Sequence, residues 1–162
     1  MLSARLGALH YRSRSTDAVD GRHPDTVAAE LAISPVTILH STSWRFVDGQ
    51  VVLTYAAVLD GVPDPWSRRL LEHGIAASGD PASPSPPQVC PDAVATHAAR
   101  HLAWLRGTDA VAGAALAGVP AVWAALDRFE PAPAGAAPLS QTAWRARQRD
   151  RLDGGSVRVH PA

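Results

Sequence analysis

Lysine is missing from this chain, so all 15 of its basic residues are arginine. That excludes Schiff-base and other lysine-dependent chemistry. Glutamate is nearly missing as well: the acids are mostly aspartate, and only Glu30, Glu72 and Glu130 are glutamates. The single cysteine, Cys90, has no partner for an internal disulfide or for a cysteine-built metal site. With alanine, arginine and proline abundant, the composition reads as GC-rich coding bias as much as functional demand.

Excess charge is also lacking. The 162 residues balance to a net charge of zero with a pI near 7.1, so no whole-molecule field attracts a polyanion and nucleic acid is an unexpected partner. The first ten residues contain no apolar run of signal-peptide length. The longest uncharged stretch, Ala110 to Leu126, is mostly Ala and Gly and is broken at Gly118-Val119-Pro120. It falls short of the roughly 20 strongly apolar residues of a membrane span. The expectation is a soluble, cytoplasmic protein with no membrane partner, packing this stretch as two helices. A hydrophobic content of 46% suits a globular chain and excludes global disorder.

The strongest pattern lies at 36–60. Two runs rich in β-branched and aromatic residues, 36–47 and 50–60, flank Asp48-Gly49. Asp-Gly in that position predicts a type I′ hairpin, since both turn residues need positive φ. The turn sets a register in which Val47 faces Gln50, Trp44 faces Leu53 and Ser43 faces Thr54. Uninterrupted alternation would put Ile38, His40, Thr42, Trp44 and Phe46 with Val51, Leu53, Tyr55, Ala57 and Leu59 on a core face. Leu39, Ser41, Ser43 and Arg45 with Val52, Thr54, Ala56 and Val58 would form a mixed face.

Elsewhere, residues 24–33 predict a short helix started by Pro24 and Asp25. Residues 66–73 suggest a helical turn or two. The stretch 74–91 holds five of the 14 prolines from Pro81 onward and reads as a mobile loop. Helices are predicted over 93–106, 109–117 and 120–129, the first capped by Asp92 and ended by Gly107. Residues 131–162 read as a Pro/Ala/Arg-rich tail. The sum is an α+β domain over 1–130, with a mixed or antiparallel sheet, the clear hairpin and packed helices. Two strands cannot make a stable sheet alone, so further strands must come from the weakly patterned residues 1–23 or the Cys90 region.

Three constellations could carry chemistry. Ser41, Ser43, Arg45 and Thr54 share the mixed hairpin face, where an arginine among hydroxyls can clamp a carboxylate or phosphate. A small anionic ligand is the partner this suggests; the competing reading is a solvated sheet face. His97 and His101 lie one helical turn apart and could chelate a metal with His40 as third ligand. Ala98 occupies the place of the general base in an H-E-x-x-H helix, and the competing reading is three core histidines. Trp144 to Arg151 carries four arginines and one aspartate and could dock on nucleic acid or an acidic partner; the competing reading is a solvated, partly helical tail. The sequence names no cofactor and no oligomeric state.

The stretch VTILHSTSWRFVDGQVVLTYAAVL at 36–59, with TVAAELAI at 26–33 before it, resembles the strands and preceding helix of Nudix-fold domains. The resemblance covers about residues 26–60 and implies an α/β/α sandwich, which the 93–106 helix could close. In that family a Gly, a spaced Glu and an Arg-Glu-hydrophobic-x-Glu-Glu-x-Gly series hold divalent cations against a diphosphate. This chain has only Glu30 in the corresponding helix, so no metal-binding residue carries over. The resemblance therefore implies a catalytically degenerate domain that binds a small ligand or regulates. The alternatives are a hydrolase, through an atypical Nudix-type site or the histidines with metal, and a partner-binding protein acting through its arginine-rich tail.

Overall fold

The computed structural model describes residues 1–32, 34–74 and 89–134. Among these residues, five strands form one mixed sheet: β1 (Leu2–Arg5), β2 (Ala8–Tyr11), β3 (Val36–Val47), β4 (Gln50–Leu59) and β5 (Arg68–Arg69), in the order β3-β4-β1-β2-β5. All neighbours are antiparallel except β1 and β4, where Leu2 lies beside Val58 in a parallel pair. The helices are α1 (Pro24–Glu30), α2 (Pro91–Thr108), α3 (Ala110–Ala117) and α4 (Pro120–Ala125), the last closing in a 3-10 turn at Leu126–Arg128. The fold is α+β, with the sheet packed against helices.

Both hairpins turn on two residues of positive φ. Asp48 and Gly49 sit at φ 48° and 82°, and Leu6 and Gly7 at 51° and 71°. The second pair supplies the missing strands from the N-terminal segment. Leucine is an unusual occupant of the left-handed region, which is why Leu6-Gly7 gives no turn signal in the sequence. Residues 66–73, expected as helical turns, instead contribute the short strand β5, paired to β2 through His10 with Arg69 and Tyr11 with Arg68.

One sheet face carries Leu2, Ala4, Leu9, Tyr11, Ala56 and Val58, all buried against α2, α3 and α4. Alanines on α2 (Ala95, Ala98, Ala99, Ala103) let the helix lie close to the strands, and Leu102, Leu116 and Leu126 fill the layer behind. Each buried leucine contributes about 1.5–3 kcal/mol. Asp109 ends α2 and caps α3, its Oδ1 accepting from the Ala112 amide at 2.8 Å. After α4 the chain returns to α2: the Ala132 amide donates to the Arg100 carbonyl at 3.2 Å. Arg100 and Glu130 form a buried ion pair at 3.3 Å, and Arg100 Nε also donates to the Glu130 carbonyl at 3.1 Å.

The hairpin corrects the expected faces. Its tip keeps the register set by the turn, with Ser43 opposite Thr54 and Trp44 opposite Leu53, but below it Ser41 pairs with Tyr55 and His40 with Ala56. Thr42 is an extra residue, a β-bulge that turns the lower half of β3 over relative to the tip. His40 and Ile38 thereby join Ala56 and Val58 on the helix side, while Trp44, Phe46, Val51 and Leu53 face the other way and stay exposed. The predicted core face is thus split by one residue.

Among the described residues, no single helix is long and apolar enough to cross a membrane, and the α3–α4 pair bends by 110°. The stretch expected as a mobile loop falls outside the described residues over 75–88, as does the tail over 135–162, including Trp144 to Arg151.

Candidate functional site

Of the four hairpin residues, the structure brings together three. Ser43 and Thr54 are directly opposite, and Arg45 pairs with Val52 on the same side. Ser41 belongs to the other face, beside Tyr55, because of the bulge. The expectation of one shared face is corrected accordingly. Thr42 itself is buried and its hydroxyl donates to the Thr54 carbonyl at 3.3 Å.

Two of the three histidines, His40 and His101, meet at the interface of β3 with α2, and His97 lies one turn earlier on the same helix. His40 and His101 lie with ring centroids 5.0 Å apart, and His101 stacks on Trp104 at 5.7 Å. Among the described residues, however, no group of three or more His, Cys, Asp or Glu could hold a metal ion, and the metal-ligand expectation is not kept. The rings are arranged as packing partners. Burial pushes the His101 imidazole below the usual histidine range, and His40 and His97 add to this, while a main-chain bond to Ala132 opposes it. His97 is likewise lowered by burial, against a main-chain bond to Thr42. Nδ1 of His101 is buried with no hydrogen-bond partner among the described residues.

Sequence reasoning missed the polar groups at the far end of the sheet. On the helix side, at the start of α2, the Tyr11 hydroxyl donates to Asp92 at 2.5 Å and accepts from Arg68, whose guanidinium lies 5.3 Å from the Tyr11 ring centroid. Arg12 pairs with Asp64 at 2.8 Å, which holds the Asp64 carboxyl below its ordinary value. Tyr11, Arg12, Trp66 and Arg68 line an open cleft of about 270 Å³. Both arginines there are already matched by aspartates. Close by, Cys90 Sγ lies 3.9 Å from Nε2 of His73.

The opposite face of the same strands is different. Alternation sends Arg5, Ala8, His10 and Arg69 to the side away from α2, and with Leu6 they line an open cleft of about 300 Å³. Ala8 is the small floor, paired with Arg5, while His10 is paired with Arg69. Among the described residues, neither Arg5 nor Arg69 has a carboxylate within ion-pairing distance, whereas Arg12, Arg22, Arg68, Arg100 and Arg106 all do. Arg128 reaches the same turn, its Nη2 being 4.0 Å from where a Cβ on Gly7 would lie. No signal in the sequence marks this site: with residues 66–73 expected as helical, Arg69 has no reason to stand beside His10.

Compared with protein-family models, characterised proteins and solved structures, the chain matches none of them.

Proposed function

We propose that this protein binds a small anionic ligand, bearing a carboxylate or phosphate, in the cleft formed by Arg5, His10 and Arg69. One observation carries the reading: two arginines and a histidine line one cleft around a small alanine, with no carboxylate among the described residues in ion-pairing distance of either arginine. Guanidinium groups recognise carboxylate and phosphate through paired hydrogen bonds. The ligand class is the one suggested by the sequence; the site moves from the hairpin to the far end of the sheet. Binding without turnover, as a degenerate Nudix-like module would do, suits a chain whose three glutamates are scattered at 30, 72 and 130.

Calorimetric titration with phosphate, pyrophosphate and citrate tests this. Arg5→Ala and Arg69→Ala should each weaken binding by roughly tenfold or more, the loss of a charged hydrogen bond, and Arg45→Ala should leave it unchanged. Absence of binding by any of these anions, or equal weakening by Arg45→Ala, would refute the assignment.

A further inference from the structure

The outward face of the β3–β4 hairpin is bare where its composition calls for burial. Trp44 is 68% exposed, Phe46 67%, Val51 59% and Leu53 44%. They form two directly opposed cross-strand pairs, Trp44 with Leu53 and Phe46 with Val51. Toward the root of the same face, the Asp25 carboxylate of α1 holds the Tyr55 hydroxyl above its usual range, while Ala57 and Leu59 are buried. Beyond Tyr55 the apolar pairs have no covering element among the described residues. The patch is contiguous and contains no charge, because Arg45 points to the other face.

We propose that this face is a homodimer interface, in which the hairpins of two copies stack face to face about a two-fold axis. Three features favour a second copy as the occupant. From the exposed fractions, the four side chains offer on the order of 500 Å² of apolar surface per copy. Two copies therefore bury about 1,000 Å², the least that a biological interface needs and the range of weak, reversible association. A two-fold contact requires a patch that complements itself, and an uncharged sheet face brings no like charges together. The chain's net charge of zero adds no long-range repulsion between copies. The bulge at Thr42 supports the arrangement, since it lets the root of β3 serve the core while the tip presents its aromatics outward.

Sedimentation velocity across a range of protein concentrations, from about 1 to 200 µM, tests the proposal on the full chain. The wild type should form dimers, and Trp44→Ser with Phe46→Ser should raise the dissociation constant by at least roughly 30-fold with an unchanged far-UV circular dichroism spectrum. As a second measurement independent of that variant's folding, Val51→Cys in a Cys90→Ser background should be captured as a covalent dimer by a short bis-maleimide. A wild type that stays monomeric throughout, or a serine double variant that folds and still dimerises, overturns the proposal. So does a monomeric Val51→Cys variant whose introduced thiol resists alkylation, which would assign the patch to another part of the same chain.

Discussion

His40 on β3 lies ring to ring with His101 on α2, at a centroid separation of 5.0 Å. His40 reaches that position only because Thr42 bulges out of the ladder and turns the lower half of β3 toward the helix. The contact therefore joins the hairpin to the central helix, and its His101 ring is held below the usual histidine range by burial. Its strength must depend on pH.

The sign follows from the direction of the shifts. His97 and His101 are both held below the usual histidine range, chiefly by burial. The folded state keeps them neutral, while the unfolded chain takes up protons below about pH 6.5. Stability is then complete above that pH and falls as pH drops through the interval down to the folded-state values. Each proton contributes at most about 1.4 kcal/mol per pH unit. Urea unfolding at pH 7.5, 6.5 and 5.5 should show this loss. His101→Leu, which also removes the unpartnered Nδ1, should reduce the slope by roughly half. A variant curve parallel to the wild type would assign the pH dependence elsewhere.

Arg100 and Glu130 give a second prediction. Both are buried, and they tie the segment after α4 to the middle of α2. Removing one partner leaves a charge in the interior, so Glu130→Ala should cost about 3–5 kcal/mol. Replacing both, by Arg100→Met with Glu130→Leu, should recover most of that loss, because the desolvation cost of the pair disappears with it. If the double variant is no more stable than Glu130→Ala, the pair's value lies in the hydrogen bond to the Glu130 main chain instead.

The contrast between the two hairpins explains what the sequence discloses. Asp48-Gly49 states its conformation in residue type, and the register from Val47 to Ser43 follows from it. Leu6-Gly7 adopts the same backbone without the residues that announce it, so β1 and β2 are legible only as a need for more strands. The bulge at Thr42 has no sequence mark at all. It arises because the root of β3 must meet α2 while the tip presents the opposite side, a constraint set by packing. Simple alternation therefore groups Ser41 with Ser43, Arg45 and Thr54, although it faces away from them. The Arg5–His10–Arg69 cleft is illegible for a related reason, since it is assembled from three strands of which none carries a recognisable pattern.

Two helical glycines offer a test in which propensity and packing disagree. Gly107 and Gly113 both lie in helices, where alanine is favoured by up to about 1 kcal/mol. A Cβ at Gly107 would meet nothing within 4 Å, but at Gly113 it would lie 2.9 Å from the Arg106 carbonyl oxygen. That oxygen belongs to the backbone of α2, so relief requires moving α3 away from α2. Gly107→Ala should therefore raise the melting temperature by about 2–4 °C, and Gly113→Ala should lower it, with overpacking costing roughly 1–3 kcal/mol. Thermal unfolding of the two variants side by side decides the matter. If both stabilise, the α2–α3 contact is loose enough for α3 to shift, and helix propensity governs the position.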